Sequence, residues 1–268
     1  MAYLILLAIG LLAGILGSMV GLGGGIIMLP AVQLILGFNV LIAVGTTLFA
    51  VIFTSLSAAI GHYQAGHVQM KSAVLVGTSG LLGVILGSYV FKAYLSTSID
   101  ILKAVLGILF FWVAYRLGRE VWQEWSQKNL PCPDNNIGYA HKEPTGALLA
   151  LGFFSGTLSG LLGIGGGFII TPGIMFICAV SPQVAVGSSM LAMLPVSLGG
   201  GLIKLWQGYV NLPAGIILGL GTALGAQVGV YFSSRINSTL LKLVLSFLFI
   251  SLSLQYIYPV FNALTRVF

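Results

Sequence analysis

The first charged side chain of the chain is Lys71, and none occurs between Glu143 and Lys204, so apolar positions run on in long stretches with few polar interruptions. These stretches resolve into ten segments, at about 3–20, 25–37, 40–61, 72–92 and 99–118, then 146–162, 167–179, 183–204, 212–233 and 239–258. Most have the length and uniform apolar character of a helix that crosses a bilayer. The second segment of each five is too short, at about 13 residues against the 17 to 25 that a spanning helix needs. A glycine run precedes each short segment, and adjacent glycines interrupt a helix. The pattern therefore predicts a discontinuous helix or a re-entrant pair at the start of each half.

The two sets of five are related in sequence. Setting each residue against the one 142 positions later aligns Gly14 to Pro30 with Gly156 to Pro172, and places Gly21-Leu-Gly-Gly-Gly25 on Gly163-Ile-Gly-Gly-Gly167. The same offset puts Ala43-Val-Gly-Thr-Thr47 on Ala185-Val-Gly-Ser-Ser189 and pairs Gly66 with Gly208, Gly87 with Gly229 and Tyr89 with Tyr231. Beyond the loop at 94–100 the offset becomes 139, pairing Lys103 with Lys242. Such agreement reads as an internal duplication. The expected fold is all-α, two homologous helical repeats of four to five hydrophobic segments each, with broken helices at the glycine motifs. The domains are a first repeat over 1–118, a linker over 119–145 and a second repeat over 146–268. The stretch from Arg116 to Thr145 carries every acidic residue except Asp100. Trp112, Val121, Trp122 and Trp125 suggest that its first turns lie along the membrane surface; a plain connector is the alternative.

Composition sharpens this picture. Charged residues make up 6% of the chain against roughly a quarter in soluble domains, and the mean hydropathy is +1.07. A soluble globular domain, with or without a signal peptide, is excluded in favour of an integral membrane protein. The net charge of +6 does not point to nucleic acid, because the lysines and arginines are sparse and stand at segment ends, where they set topology. Counting them puts the linker in the cytoplasm whether the first two segments of each half make one crossing or two. With one, Lys71, Arg116, Arg119, Lys128, Lys142, Lys204 and Arg266 lie inside; with two, Arg235 and Lys242 replace Lys204 and Arg266. The first case makes the repeats parallel and the second inverted. Cys132 and Cys178 lack the spacing of a disulfide or metal framework and are expected as free thiols. No metal, cofactor or nucleotide motif is present, and nothing in the sequence sets an oligomeric state.

Candidate chemistry lies in the duplicated motifs. Gly21, Gly23, Gly24 and Gly25, with Gly163, Gly165, Gly166 and Gly167, expose backbone N–H groups, and a helix that begins just after them aims its positive end at the same place. A small anion is then held without a charged side chain. Pro30 and Pro172 keep the preceding residues unwound or mark the start of the half-helix. Close helix packing through small residues is the plainer use for many of the 37 glycines. Thr46, Thr47, Ser188 and Ser189 can donate to an oxyanion, or equally to the carbonyl one turn back. His62 and His67, with Lys204 at the position equivalent to His62, can attract an anion or carry a proton; snorkelling at a helix end is the alternative. No acid lies deep in a segment, so the carboxylate relay of proton pumps is missing. Gly77-Thr-Ser-Gly80 matches the spacing around an intramembrane serine nucleophile, but Ser79 has no histidine on another span to act as base, and no enzyme is expected.

The paired GLGGGIIMLP and GIGGGFIITP, with AVGTT and AVGSS downstream, resemble the TauE/SafE family, the sulfite exporter or anion permease group, from about Leu4 to Tyr258. The resemblance implies a secondary carrier of small sulfur-containing anions such as sulfite, thiosulfate, sulfoacetate or other sulfonates, in a bacterial-type inner membrane. It also implies that the two glycine motifs border the central pathway, with Thr46, Thr47, Ser188 and Ser189 nearby. A passive anion channel on the same scaffold is the alternative reading. The partners implied are the anion and the lipid bilayer.

Overall fold

Chains without charge or polar side chains to hydrate must satisfy every backbone group internally, and in a bilayer that means helix. The computed structural model describes residues 2–96, 99–126, 144–233 and 238–265, and they are helical throughout apart from short turns. The helices are α1 (Ala2–Val20), α2 (Gly25–Leu36), α3 (Val40–Gln64), α4 (Met70–Val90), α5 (Ile99–Ser126), α6 (Thr145–Leu162), α7 (Gly167–Cys178), α8 (Pro182–Trp206), α9 (Leu212–Ser233) and α10 (Ser238–Thr265). A π-helical turn, Phe91–Leu95, prolongs α4. Among the described residues seven helices are long and apolar enough to cross a membrane: α1, α3, α4 with its π-turn, α5, α6, α8 and α9. Helices at the 142-residue offset have like lengths: 19 and 18 residues for α1 and α6, 12 each for α2 and α7, and 25 each for α3 and α8.

Packing divides the chain differently from its sequence halves. One compact unit comprises Met1–Ile99 and Pro144–Ile236, the other Asp100–Glu143 and Asn237–Phe268. The second unit is α5 against α10. Phe110 stacks on Phe249 at 5.9 Å, and the hydroxyls of Ser246 and Ser253 each donate across the interface, to the carbonyls of Ala114 and Gly107, at 2.9 Å. Such hydroxyl-to-backbone bonds hold helices together where lipid removes the hydrophobic incentive. The aromatic turns expected to lie along the surface are the continuous end of α5, with no break before Ser126. Arg116 there pairs with Glu120 at 2.8 Å and lies over Trp112. Residues 127–143 of the linker, Cys132 included, fall outside the described residues; Cys178 is a free thiol, 3.4 Å from the Ser72 hydroxyl.

The eight helices of the first unit fall into two antiparallel sets. In α1 and α9 contacting positions rise together, Gly10 with Leu218 and Ile15 with Gly229, so these helices are parallel. The same holds for α3 and α9, where Gly215 meets Phe49 and Gln227 meets Gly61. It holds again for α4 with α6 (Val76 at Gly152, Val84 at Gly160) and for α4 with α8 (Gly77 at Ala192, Val84 at Gly199). Between α3 and α8 the sense is opposite: Leu48 meets Gly200 and Ser55 meets Ser197. Helices at equivalent positions in the two sequence halves thus run in opposite directions. Close approach is possible because the facing residues are small. A side chain at Gly83 or Gly87 would meet the backbone of Phe153 or Thr157, and one at Gly14 or Gly225 that of Thr222 or Leu11.

Candidate functional site

Each half-helix begins at a chain reversal built from glycine. Gly21, Gly23 and Gly24 have φ of 81, 70 and 72°, and Gly163, Gly165 and Gly166 have 73, 88 and 80°. This left-handed region is cheap only for glycine. Three such residues within four positions turn the chain back on itself, so Gly24 packs against Ala13 and Gly17 of α1. In a continuous helix residue 24 would lie about 10 Å beyond residue 17. In the same way Gly166 returns to Ser155 of α6. The break is therefore re-entrant, and it makes the direction change that leaves α3 and α8 antiparallel. The prolines have another place than expected: Pro30 and Pro172 lie inside α2 and α7. The left-handed glycines do the unwinding, and each half-helix starts at Gly25 or Gly167, five residues ahead of its proline.

The two reversals lie against each other. A side chain at Gly25 would meet the Ile164 carbonyl, and one at Gly167 the Gly21 carbonyl. Gly23 and Gly165 both face the Met193 side chain and Val51. Residues 21–26 and 162–168 are buried. Since α2 returns along α1 and α7 along α6, and α1 and α6 run oppositely, the two half-helices leave this junction in opposite directions. Both point their positive, N-terminal ends into it. No charged side chain is among the residues just named. At the same level the hydroxyls of Ser55 and Ser197, separated by 142 positions, lie 3.1 Å apart.

The four expected hydroxyls all lie on α3 and α8, buried, and each has a local role. The single Thr47 hydroxyl proton has three carbonyls in reach, those of Ala43 (2.8 Å), Val44 (3.2 Å) and Gly163 (3.2 Å), the last of which sets α3 against the second glycine reversal. Ser189 does the equivalent through Thr171: the Thr171 hydroxyl lies 2.8 Å from the Ser189 hydroxyl and 2.9 Å from the Gly21 carbonyl. Thr46 accepts the N–H of Asn211 at 3.0 Å, and Ser188 that of Gln69 at 2.8 Å. Each of these two bonds fastens a turn between long helices onto the start of a helix from the other half. Sequence reasoning missed Thr171, Ser55, Ser197, Val51 and Met193. The last four were discoverable, because both Ser55 with Ser197 and Val51 with Met193 are pairs at the repeat offset.

The Thr46 bond yields a prediction. Thr46→Val keeps the shape and removes the acceptor, so a part-buried N–H loses its partner at a cost of about 1 kcal/mol. A fall in thermal unfolding temperature in detergent, restored by Thr46→Ser, is the expected result; an unchanged melting curve would mean that the bond does not hold the turn.

The basic candidates are not brought together. His62 and Lys204 each stand seven residues beyond the Ser55–Ser197 contact on antiparallel helices, which sets them about 20 Å apart, at opposite ends of the unit. His62 is buried, with Nε2 at 3.3 Å from the Ser18 carbonyl, and its ring lies 6.3 Å from that of His67. Lys204 is buried at the other end, its Nζ 2.9 Å from the centre of the Phe91 ring. Ser79 donates to the carbonyls of Leu75 and Val76 at 3.0 and 3.2 Å and packs on Gly152, which is a packing role. No group of three or more potential metal ligands occurs among the described residues.

Membrane-length helices around two half-helices that meet head to head define a polytopic integral membrane protein of the transporter class. The family model described as "Sulfite exporter TauE/SafE" matches residues 6–256. The chain belongs to that family. It is 28% identical over 268 residues to a Bacillus subtilis protein named "Probable membrane transporter protein YunE", covering 96% of this chain and 98% of that one. A second B. subtilis protein, "Probable membrane transporter protein YdhB", is 32% identical over 246 residues, with 89% and 94% covered. A probable membrane transporter protein of Methanocaldococcus jannaschii is 25% identical over 257 residues, with 90% of each chain covered. No solved structure matches.

Proposed function

We propose that this protein is a secondary transporter of small sulfur-containing anions, sulfite, thiosulfate or organosulfonates, working by alternating access around the two glycine reversals. One observation carries the reading: two half-helices from oppositely directed halves converge on one buried junction with their N-termini. That arrangement concentrates backbone donors and positive dipole ends where no counter-charge is present. The substrate class is supported by the family's description as a sulfite exporter. The substrate-binding set is Gly21, Gly23, Gly24, Gly25, Gly163, Gly165, Gly166 and Gly167, with Thr46, Thr47, Ser188 and Ser189 nearby: Thr47 and, through Thr171, Ser189 hold the reversals, Thr46 and Ser188 hold the facing turns, and Pro30 and Pro172 lie within the half-helices. Lys71, at the start of α4, and the connector that enters α6 belong to one end of the eight-helix unit; Lys92 and Lys204 belong to the other. The excess of basic residues in and near the connector assigns it to the cytoplasm of a plasma membrane.

Reconstituted protein in liposomes tests the reading. Labelled sulfite or thiosulfate uptake should be saturable and rise severalfold when the same unlabelled anion is inside, because a loaded carrier returns faster than an empty one. Flux without saturation or trans-stimulation would identify a passive pore instead. No flux of any sulfur anion, in protein shown to be folded, would remove the substrate assignment.

A further inference from the structure

At the end of the eight-helix unit away from the connector, Lys204 occupies a site that its role as a helix-end anchor does not explain. A snorkelling lysine puts its ammonium in water or headgroups, whereas Lys204 has no exposed surface and its Nζ has no hydrogen-bond partner. The ammonium rests on Phe91, 2.9 Å from the ring centre, with the Tyr209 ring 5.8 Å away. The two rings meet edge-on at 5.3 Å. A ring face recovers only part of what a buried ammonium loses in leaving water. No carboxylate of the unit makes up the rest, because residues 1–99 and 144–236 contain no aspartate or glutamate.

Other features of this end suit a visiting anion. Phe91 opens the π-helical turn Phe91–Leu95, a distortion of the kind that recurs at functional positions. Ser88, one turn earlier, has a buried hydroxyl without a partner, and its carbonyl accepts from Gln207 Nε2 at 3.1 Å, three residues after Lys204. Lys92, next in the chain to Phe91, is exposed and lies 5.8 Å from the ring of Trp206, which is 77% exposed. An exposed cation at the rim and a buried one below it form a graded path for negative charge. At the other end the equivalent position holds His62, with Nε2 against the Ser18 carbonyl, so this arrangement is confined to one end.

We propose that Lys204, with the Ser88 hydroxyl, forms a second anion-binding subsite at the end opposite the connector, holding a small oxyanion on its way to or from the glycine reversals. Phe91 is the resting place of the ammonium when the subsite is empty, and Lys92 draws the anion in. The subsite rests on the anion-transport reading for its substrate, but it can be tested without transport. Trp206 stands beside it, and the other three tryptophans, Trp112, Trp122 and Trp125, belong to α5 and can be replaced by phenylalanine.

In that full-length background, titration with sulfite and with thiosulfate should change Trp206 fluorescence saturably. Lys204→Met should raise the half-saturating concentration about tenfold or more, the order expected for loss of a charge-assisted contact. Lys204→Arg should recover most of the affinity. Should Lys204→Met fail to fold, Ser88→Ala must raise the half-saturating concentration in the same direction. The titration should persist in Gly165→Ala, which alters the central junction only. Absence of a saturable change with either anion, or a change unaffected by both Lys204→Met and Ser88→Ala, overturns the subsite. A titration that depends on Lys204 in protein that moves no anion leaves the subsite standing and overturns the transport reading alone.

Discussion

Gly166→Val should destabilise the protein by about 2 to 5 kcal/mol and abolish transport, while Gly165→Ala should fold and lose anion exchange. The difference lies in what each added Cβ would meet. At Gly166 φ is 80° and the Cβ would sit 3.1 Å from the Ser155 carbonyl; at Gly24, the equivalent position, φ is 72° and the Ala13 carbonyl is at 2.9 Å. A left-handed conformation costs a residue with a Cβ roughly 1 to 2 kcal/mol. Crowding of a packed interior adds about 1 to 3 more, and a backbone carbonyl inside a helix, of α6 for Ser155 and α1 for Ala13, cannot rotate away as a side chain can. Gly165 has the same backbone cost, with φ 88°, but the nearest atoms to its Cβ would be side-chain methyls, Met193 Cε at 2.7 Å and Val51 Cγ1 at 2.9 Å, and both must shift. Methionine is flexible enough to yield. An alanine there thus places a methyl group at the junction of the two reversals while the rest of the fold persists. Melting curves in detergent and trans-stimulated exchange in liposomes separate the two effects. Folded Gly165→Ala protein with wild-type exchange would move the anion away from the reversals.

The glycine motifs were legible from sequence because three adjacent glycines after a long apolar segment have few other uses. The segment limits were legible too: 25–37 against Gly25–Leu36, and 212–233 against Leu212–Ser233. The sense of the reversal was not. It depends on left-handed φ at Gly21, Gly23 and Gly24, and a glycine permits both hands equally. From this follow the points that sequence left open or misjudged. Setting His62 against Lys204 at the repeat offset gave the two an equivalent role, but antiparallel α3 and α8 carry them to opposite ends. Thr46 and Ser188 read as donors, to an oxyanion or to the carbonyl one turn back, whereas their acceptor role for Asn211 and Gln69 needs turns that are distant in sequence. The packing partners of α4 and α1 were equally hidden. A helix with glycines on one face advertises a close neighbour without naming it.

That close packing supports the second large effect. Gly156→Leu should lower stability by more than about 3 kcal/mol, because its side chain would project into the Gly80 backbone and the α4–α6 pair has no other way to approach. Gly14→Leu should act alike through Thr222, on the α1–α9 pair. Leucine is a good residue for membrane insertion, so each helix should still enter the bilayer; what fails is association. Gly146→Leu is the control, on the same helix as Gly156 but with no atom within 4 Å of its Cβ, and it should melt like wild type. The result bears on mechanism as well as on stability. Because α4 of the first half is bound to α6 of the second, and α1 to α9, a rocking motion cannot separate the two sequence halves as rigid blocks without breaking both pairs. In the alternating-access cycle proposed above, the moving parts would then be mixed: α1 with α9 and α4 with α6, each pair carrying one glycine reversal. A cysteine cross-link between α4 and α6 should therefore leave exchange intact. A cross-link that stops exchange while the fold persists would mean that the α4–α6 pair opens during the cycle.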